Sequence, residues 1–321
     1  MSLCGRGALL ATLVAVAVLV SGCTQGPATP APGASPAAPG KLVIAIQPTE
    51  AAAEISPRAR ELETFLEDRT GADVEILIPT TYAGVIEALR FGHAHAAFMS
   101  AWPMALASGK AGADIAVAEV REVVIGQEKL EKPFYFSYWV VPKGSPYRSL
   151  AELKGKKACF SSPLSTSGYV MPLARLVELG LVPKPAAGKA ADPKTFFGEA
   201  AFGGGYSQCW AALKSGQVDV SIIAGDVAEK LYREVLNETR VLEQQGPIPS
   251  HGVVFSRDLQ EPLRTRLEQA LLALGEPARR DLMRKLVSGI FVRFERTDTA
   301  THVAALDRAL AETGLKFTES L

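Results

Sequence analysis

Hydroxyl-bearing side chains cluster between residues 161 and 169, where an apolar run gives way to a stretch with helical spacing. A buried strand is predicted before this cluster and a helix from Val170 to Val177 after it, so the helix begins near Ser165, Thr166 and Ser167. Because a helix start has unpaired N–H groups and a partial positive charge, these hydroxyls can complete a cradle for an oxyanion without Lys or Arg. An ordinary Ser/Thr N-cap explains one such loop equally well.

Two more loops of this kind precede predicted helices elsewhere in the chain. Thr81 and Tyr82 come directly before one helix, and Tyr206 follows three glycines at the start of another. A weak internal repeat supports the pairing, because residues 88–97 can be laid over residues 212–221. In each segment an amphipathic helix ends, a glycine stops it and a short strand begins. A generic helix–glycine–strand pattern would explain the repeat alone, but three similar loops together predict two lobes of like construction.

Short apolar runs alternate with amphipathic stretches from Lys41 onward, which is typical of an α/β domain with a largely parallel sheet. Strands are predicted at 42–46, 74–78, 96–99, 157–160 and 220–223, and helices at 58–69, 83–91, 264–274 and 303–313. In open α/β sheets, ligands bind beyond the carboxyl ends of the strands, where helix starts point. Two such lobes facing each other predict a cleft suited to a small anion.

The lobe boundaries follow from two extended stretches, 134–141 and 246–255, which are predicted to cross between the lobes. The last two helices are expected to return to the first lobe. Residues 41–137 plus 250–321 are therefore expected to form lobe one, and residues 138–249 to form lobe two.

The chain is electrically balanced, with 34 Lys and Arg residues against 34 Asp and Glu residues. This balance, and the lack of a basic stripe interleaved with aromatic residues, argue against nucleic acid as a partner. No nucleophile elbow, Walker loop or HExxH sequence is present, and no acid–histidine–serine arrangement is visible. The sequence therefore predicts a binding protein rather than an enzyme.

The N-terminus carries a targeting signal. Arg6 precedes an apolar run over residues 8–20, which is too short to span a bilayer as a mature helix. Small residues then lead to Cys23, an arrangement that resembles the lipobox of bacterial lipoproteins, with Val20 in place of the usual leucine. It implies a signal peptide over 1–22, acylation of Cys23 and anchoring on the outer face of the membrane. A plain secretory signal with an incidental cysteine is the alternative.

The segment after the signal, 23–40, is rich in Pro, Ala, Gly and Ser and carries no charge, so it is predicted to be a disordered tether. Beyond it only Cys159 and Cys209 remain as cysteines. In an oxidising compartment they form either a disulfide or two buried free thiols. His93 and His95 share a strand face, but nothing nearby supplies further metal ligands with recognisable spacing. We therefore expect no metal and no cofactor.

Other polar residues stand just beyond predicted strands. Ser100 and Trp102 are expected to line the wall of the first lobe, although core packing is the alternative for Trp102. Asp226 follows the strand at 220–223, where it could accept a hydrogen bond from a protonated oxyanion or an amino group; Glu50 is a second candidate. Such an acceptor would repel anions without a proton to donate. A solvated helix cap is the competing interpretation for Asp226.

Three stretches resemble a known family of PhnD-type phosphate/phosphite/phosphonate ABC-transporter binding proteins. Residues 82–89 resemble its first ligand loop, residues 149–156 the motif at the head of lobe two, and residues 165–172 its second ligand loop. The resemblance covers the chain from Lys41 onward. It implies a type II periplasmic-binding-protein fold, with two Rossmann-like lobes, a hinge and a central ligand cleft. It also implies closure on a ligand and delivery to a membrane permease.

The sequence departs from the family pattern in one of the ligand loops. Where the family usually has a histidine and then an acidic residue, this chain has Tyr206 and Ser207. The loss of that histidine removes a potential cationic donor and leaves the exact ligand open. Another departure is His95, which stands where an acidic residue is usual; we expect a structural role there.

Together these features predict a monomeric, lipid-anchored, extracytoplasmic binding protein that passes a small phosphorus oxyanion to an ABC permease. The expected ligand-binding residues are Thr81, Tyr82, Ser100, Trp102, Ser165, Thr166, Ser167, Tyr206 and Asp226. Three alternatives stay open. The ligand could be a sulfonate or another organic anion, the protein could present its ligand to a membrane sensor, or it could resemble the pyrimidine-synthase enzymes of this fold.

Overall fold

The structure, a computed structural model, describes residues 40–48, 52–125, 128–286 and 288–315. The expected signal peptide, the tether up to residue 39, Cys23 and Glu50 lie outside these residues. Within the described ranges, no helix is both long enough and apolar enough to cross a bilayer. The expectations about cleavage and lipidation therefore stay predictions.

The strands of the described ranges fall into two sheets. They are β1 (Lys41–Ile46), β2 (Asp73–Leu77), β3 (Ala96–Met99), β4 (Asp114–Ile125), β5 (Glu128–Lys132), β6 (Phe134–Pro142), β7 (Lys157–Phe160), β8 (Glu199–Phe202), β9 (Val220–Ala224), β10 (Thr239–Pro249), β11 (Gly252–Phe255) and β12 (Phe291–Arg296). The first sheet has the order β12–β4–β11–β3–β1–β2, with β5 beside β4, and the second has the order β10–β6–β9–β7–β8.

The helices cover both sheets. They are α1 (Ala52–Thr70), α2 (Tyr82–Arg90), α3 (Ala101–Ala111), α4 (Met171–Glu178), α5 (Tyr206–Lys214), α6 (Glu229–Glu238), α7 (Leu263–Ala273), α8 (Arg280–Leu286) and α9 (Thr299–Thr313). Five helices pack with the first sheet: α1, α2, α3, α7 and α8. Helices α4, α5 and α6 pack with the second sheet. This is the two-lobed α/β architecture that the sequence predicts, and the fold class is confirmed.

The predicted strands and helices agree with the observed ones to within a few residues, with one larger difference. Helix α1 begins at Ala52, six residues before the predicted start at residue 58. Sequence reasoning ends or begins a helix at proline because proline lacks an N–H and crowds the preceding turn. In this chain Pro57 lies inside α1, so the prediction was too short.

The prediction of a largely parallel sheet is correct for only part of each sheet: in the described ranges two of six strand pairings are parallel in the first sheet and two of four in the second. β1 pairs in parallel with β2 and β3, and β7 pairs in parallel with β8 and β9. The remaining pairs, those of β4, β5, β6, β10, β11 and β12, are antiparallel. The first strand after each crossing, β6 and then β11, runs against the parallel strand beside it, β9 and β3 respectively.

The crossings lie at Pro133 and at residues 250–251, because β6 and β10 belong wholly to the second sheet and β11 to the first. The expected lobe boundaries, after residue 137 and before residue 250, stay predictions. Helix α9 differs from expectation: it packs against α3 of lobe one and also against α4 and β10 of lobe two. The tail therefore spans both lobes.

Candidate functional site

The carboxyl ends of the parallel strands in both sheets carry polar residues that meet at one place. Gln47 follows β1, Ser100 follows β3, Ser161 follows β7, and Asp226 stands two residues after β9. All four are buried. Parallel strands in an open sheet end on the same edge, and the two sheets here turn these edges toward each other.

Helix α4 is preceded by a π-helical turn, Thr166–Val170, that begins at Ser165 as predicted. The Oγ of Ser165 accepts a hydrogen bond from the Gly168 N–H at 3.0 Å, so Ser165 is the N-cap of this turn. A Cβ at Gly168 would lie 1.9 Å from the Oγ of Ser161. Only glycine fits here, and its absence of a side chain lets the turn approach the end of β7 closely.

A chain of buried hydroxyls extends from this turn. The Tyr135 hydroxyl donates to the Ser167 Oγ at 2.7 Å, and the Ser167 Oγ lies 2.7 Å from the Tyr206 hydroxyl. The Tyr206 hydroxyl is also 3.4 Å from the Oγ of Ser165. Tyr206 is the first residue of α5, so the chain joins the starts of two helices to the crossing strand β6.

Tyr82, the first residue of α2, faces the same space from lobe one and is only 2% exposed. Its hydroxyl lies near Ser165, Ser161 and Gln47, yet no residue in the described ranges is aligned to form a hydrogen bond with it. The Ser161 Oγ is likewise buried without such a partner. Burial raises the pKa of Tyr82 to about 12, so its phenol keeps its proton at neutral pH and remains a donor.

A buried ionic cluster lies beside these hydroxyls and connects the lobes. Nη2 of Arg121, on β4, lies 2.8 Å from Asp226 Oδ2 and 2.6 Å from Glu119 Oε2. The Nδ1 of His251, at the second crossing, lies 2.8 Å from Asp226 Oδ2 and also contacts Arg121. The Arg121 guanidinium stacks 4.1 Å from the centre of the Tyr135 ring. Both carboxylates of the cluster thus share one guanidinium.

The charges of this cluster fix the ionisation of its members. Burial alone would raise the pKa of Asp226, but Arg121 and His251 outweigh it and hold the pKa below its ordinary value of 3.8. Burial would also lower the pKa of Arg121, but Asp226 and Glu119 raise it. Asp226 therefore carries a full negative charge at neutral pH, which acts on the phenols of Tyr82, Tyr135 and Tyr206.

Direct contact between the lobes is made at the start of α3. The Trp102 N–H donates to the Thr166 Oγ1 at 2.8 Å, which joins a helix start in lobe one to the turn in lobe two. Behind it, the N–H and the Oγ of Ser100 both lie 3.1 Å from Gln47 Oε1. Thr81 is exposed at the rim, where its Oγ1 accepts from the Gly84 N–H at 3.0 Å as an ordinary N-cap.

The structure thus brings most of the expected site residues together. Tyr82, Ser165, Ser167, Tyr206 and Asp226 are all buried and lie close to one another. Thr166, Trp102 and Ser100 belong to the contact between the lobes, and Thr81 lies at the edge. The competing interpretation of Asp226 as a solvated helix cap does not fit the structure, because Asp226 is only 2% exposed. A role of any of these residues in binding stays a prediction.

Four residues near the site were not expected from the sequence: Gln47, Arg121, Tyr135 and His251. Ser161 was part of the predicted hydroxyl cluster but was not named as a ligand-binding residue. Tyr135 and His251 fall in the two predicted crossing stretches, and Gln47 directly follows the first predicted strand, so these positions carried a signal. Arg121 carried none, because a cation within a strand ordinarily marks an exposed face. The expectation of an oxyanion cradle without Lys or Arg stays a prediction; Arg121 is fully buried, but its guanidinium is paired with Glu119 and Asp226.

Cys159 and Cys209 are joined by a disulfide, with their Cα atoms 5.5 Å apart. Cys159 is in β7, which leads to Ser161, and Cys209 is in α5, which begins with Tyr206. The bond therefore ties together the two segments of lobe two that carry the buried hydroxyls.

His95 has a structural contact. Nδ1 of His95 accepts a hydrogen bond from the Val43 N–H at 3.0 Å, which fixes the imidazole against the neighbouring strand. Nowhere in the described ranges do three or more His, Cys, Asp or Glu side chains come together as metal ligands.

A cavity of about 750 Å³ opens between the lobes, and Tyr82 and Ser161 lie in its wall. A second cavity, of about 710 Å³, lies between α8 and the start of α6. It is lined mainly by charged residues that pair with one another, such as Glu122 with Lys129 at 2.5 Å. The first cavity adjoins the buried hydroxyls and is the candidate ligand site; the second is a groove between solvated ion pairs.

Comparisons with known proteins agree with this geometry. The family described as "ABC transporter, phosphonate, periplasmic substrate-binding protein" matches residues 44–301. The chain is 28% identical over 222 residues to the phosphate-import protein PhnD of Mycolicibacterium smegmatis, a match that covers 69% of this chain and 66% of that protein. It therefore spans about two thirds of the length of that relative.

Two solved structures share the fold. One is a binding protein component of an ABC phosphonate transporter from Pseudomonas aeruginosa, with a TM-score of 0.71, 20% identity and coverage of 85% of this chain and 87% of the other. The other is PhnD1 from Prochlorococcus marinus in complex with methylphosphonate, with a TM-score of 0.69, 16% identity and coverage of 85% and 97%. At these identities the similarity establishes the fold alone. The family match covers most of the chain, and the protein belongs to the periplasmic substrate-binding proteins of phosphonate ABC transporters.

Proposed function

We propose that the protein is an extracytoplasmic lipoprotein that captures a small phosphorus oxyanion between its lobes and delivers it to an ABC permease. The observation that carries this proposal is the pair of buried hydroxyls without partners, those of Tyr82 and Ser161. Leaving a buried polar group unpaired costs about 1–3 kcal/mol. An anion held between these two hydroxyls satisfies both at once, which explains why the fold tolerates them.

The hydroxyl chain supplies a further donor. Because Tyr135 donates to Ser167, the Ser167 hydroxyl can donate in turn to Tyr206. The Tyr206 O–H is then left to donate to the ligand, and each bond in such a chain polarises the next. Together with Tyr82 and Ser161, this gives three hydroxyl donors on one anion. Each hydrogen bond to a charged group contributes about 1.5–3 kcal/mol.

Asp226 selects the kind of anion. Its charge acts on the same tyrosines that face the ligand, so it opposes an anion that offers only acceptor oxygens. A phosphonate or phosphate that retains one proton can instead donate to a carboxylate. A sulfonate carries no such proton at neutral pH and is disfavoured. The proposal therefore ranks phosphorus oxyanions above sulfonates.

The remaining parts of the proposal concern partners and location. The sequence at Val20–Cys23 supports lipid attachment at Cys23 on the outer face of the cytoplasmic membrane. The family match supports an ABC permease as the receiving partner. We propose a monomer, since each chain supplies both walls of its own cleft. The ligand-presenting sensor and the enzyme are the competing functions.

A thermal-shift screen tests the ligand assignment. The chain is produced from residue 23 with Cys23→Ala, so that it is not acylated, and is heated with phosphate, phosphite, methylphosphonate and methanesulfonate. A ligand at 100 times its Kd stabilises the folded protein by about 2.7 kcal/mol. The proposal predicts a shift with at least one phosphorus compound. A response to methanesulfonate alone, or turnover of any compound, would replace it with one of the competing functions.

A further inference from the structure

Away from the buried hydroxyls, the walls of the cavity between the lobes are mainly apolar. Its outer walls consist mainly of apolar side chains from both lobes: Trp102, Leu106, Leu164, Tyr169, Phe202 and Leu315. None of the described residues that line it is Asp, Glu, Lys, Arg or His. Phe202 stands out, since 43% of this large apolar side chain is exposed. Large apolar side chains left open beside a polar site commonly mark a binding surface.

The apolar walls are continuous with the buried hydroxyls. Tyr82 and Ser161, whose hydroxyl groups have no partner in the described ranges, both contribute to the cavity wall. If the oxygens of a tetrahedral phosphorus oxyanion bind these two groups, the organic substituent on phosphorus lies close to the cavity. The size of the cavity, about 750 Å³, is within the range of pockets for organic ligands, roughly 300–1,000 Å³. Inorganic phosphate or phosphite would leave this volume unused.

We propose that this cavity, the substituent pocket, binds the uncharged, apolar organic group of an organophosphonate or a phosphate monoester. The inference rests on the proposed function and makes the substrate class narrower. The ligand is an oxyanion carrying a chain of several carbons or an aromatic ring, and neither free phosphate nor phosphite is the preferred ligand.

The same walls disfavour an amino group on the ligand. A substituent ammonium is held best by a carboxylate, and none of the described residues that line the cavity is Asp or Glu. Asp226 does not line the cavity, and in the proposed function it faces the proton of the oxyanion rather than the substituent. Propylphosphonate and 2-aminoethylphosphonate have nearly the same shape and differ in whether the end is apolar or charged, so the pair isolates this effect.

Isothermal titration calorimetry on the Cys23→Ala chain tests the proposal. The ligands are inorganic phosphate, methylphosphonate, propylphosphonate, 2-aminoethylphosphonate, phenylphosphonate and phenyl phosphate. Each methylene moved into an apolar pocket is worth about fourfold in Kd. We expect propylphosphonate and at least one phenyl compound to bind about tenfold or more tightly than methylphosphonate, and propylphosphonate to bind more tightly than its amino counterpart. If phenylphosphonate binds more tightly than phenyl phosphate, the preferred ligand class is the organophosphonates; the opposite order identifies the phosphate monoesters.

Two variants test whether the gain in affinity from an apolar substituent arises in the substituent pocket. Phe202→Ala removes part of the wall, and Ala83→Leu adds volume to a lining position on α2. Both should reduce the ratio of the methylphosphonate Kd to the phenylphosphonate Kd by about fivefold or more, since several methylenes' worth of contact is lost. The matched controls are Phe91→Ala and Ala211→Leu, which change an exposed phenylalanine and an exposed helical alanine that do not line the cavity. They should leave the ratio unchanged.

The outcomes separate this inference from the proposed function. If phosphate or methylphosphonate binds as tightly as the larger ligands, or 2-aminoethylphosphonate binds more tightly than propylphosphonate, the substituent pocket is refuted while the oxyanion site stands. If the ratio falls equally in the controls, the pocket is refuted as well. If no phosphorus compound binds, the proposed function itself fails.

Discussion

The main-chain N–H of Trp102 donates to the side-chain oxygen of Thr166 at 2.8 Å, so a residue of lobe two caps a helix of lobe one. Helix α3 starts after Ser100, whose own hydroxyl makes no capping hydrogen bond. Thr166 supplies the acceptor instead, across the cleft. The bond exists only while the lobes are closed, because an open cleft would separate its two partners.

Thr166→Val should therefore weaken ligand binding without lowering the melting temperature of the unliganded protein. Valine keeps the shape but removes the acceptor oxygen of this hydrogen bond in the closed form, a loss of about 1–3 kcal/mol. In the open form water pairs this N–H and nothing is lost. Calorimetric titration with a phosphorus ligand should show a Kd raised by about 5- to 150-fold.

Thr166→Ser is the matched control for this prediction, because it keeps the acceptor oxygen and should retain most of the affinity. A large fall in the unliganded melting temperature of Thr166→Val would contradict the interpretation. It would mean that the bond between the lobes supports the fold in every state of the protein.

Tyr82→Phe should also weaken binding, but for a different reason. It removes a hydroxyl that has no aligned partner in the described ranges, so the unliganded protein should be as stable as the unaltered chain or more stable. The ligand loses a charge-assisted hydrogen bond of about 1.5–3 kcal/mol, which is roughly a 10- to 150-fold increase in Kd. Chemical denaturation and calorimetry measure the two effects separately.

Tyr232→Phe serves as its control, since Tyr232 is a half-buried tyrosine on α6 that does not line the cavity. Its removal should leave the Kd unchanged. An unaltered Kd in Tyr82→Phe would remove this hydroxyl from the ligand site.

The unfolding free energy should fall as pH rises above 10. Burial raises the pKa of Tyr82 and of Tyr169 from 10.0 to about 12. A group whose pKa is higher in the folded than in the unfolded protein contributes its full share of stability below the unfolded pKa. This stability is lost as the pH rises through the pKa of the folded protein. Between pH 10 and 12 the unfolded chain releases these protons and the folded chain keeps them. Each tyrosine then contributes a slope of about −1.4 kcal/mol per pH unit.

Urea denaturation of the unaltered chain and of Tyr82→Phe between pH 10 and pH 11 measures this slope. The variant should lose less stability per pH unit than the unaltered chain, because one of the buried phenols is missing. Equal slopes in the two proteins would show that Tyr82 titrates at its ordinary pKa and is not buried in solution.

Arg121→Met should be strongly destabilising. It leaves the buried carboxylates of Asp226 and Glu119 without their shared guanidinium, and removing one partner of a buried ion pair costs about 3–5 kcal/mol. Urea denaturation at pH 7 measures the loss. Adding Asp226→Asn to Arg121→Met should restore part of the stability, since one uncompensated charge is removed. A single variant as stable as the unaltered chain would mean that water reaches the cluster.

Acid should act on the same cluster. The pKa of Asp226 is held below its ordinary 3.8, so its contribution to stability is present above that value and is lost as pH falls through the lowered pKa. In Asp226→Asn the unfolding free energy should therefore decrease less between pH 4 and pH 2 than in the unaltered chain.

Lipid attachment is predicted at Cys23 and is tested directly in cells. The full-length chain should be recovered with the membrane and incorporate radiolabelled palmitate, while Cys23→Ala should be released in soluble form without the label. Labelling that persists in the variant would contradict the assignment of Cys23.

The sequence was sufficient to predict the order of strands and helices in the parallel halves of the sheets, because each strand there is a short apolar run between turn residues. It was also sufficient for the turn at Ser165–Ser167, whose N-cap is a local feature. These elements depend on residues that are close in the chain, so their patterns can be read without a partner.

The parts that sequence reasoning could not supply depend on distant residues. Arg121 is buried next to the carboxylate of Glu119 on its own strand and next to that of Asp226, which lies 105 residues further along the chain. Thr166 caps α3 although 64 residues separate it from Trp102. The antiparallel pairing of the crossing strands likewise follows from the arrangement of the two lobes, and no short pattern encodes it.

The central claim is that buried hydroxyls from both lobes hold a phosphorus oxyanion that keeps a proton for Asp226. Calorimetric titration of the Cys23→Ala chain with methylphosphonate and with methanesulfonate at pH 7 tests it most directly, because the two ligands have the same shape and differ in the available proton. We predict that methylphosphonate binds and that methanesulfonate binds about 100-fold more weakly or not at all, a difference of about 2.7 kcal/mol. Equal binding of the two anions, or binding of methanesulfonate alone, would contradict the account.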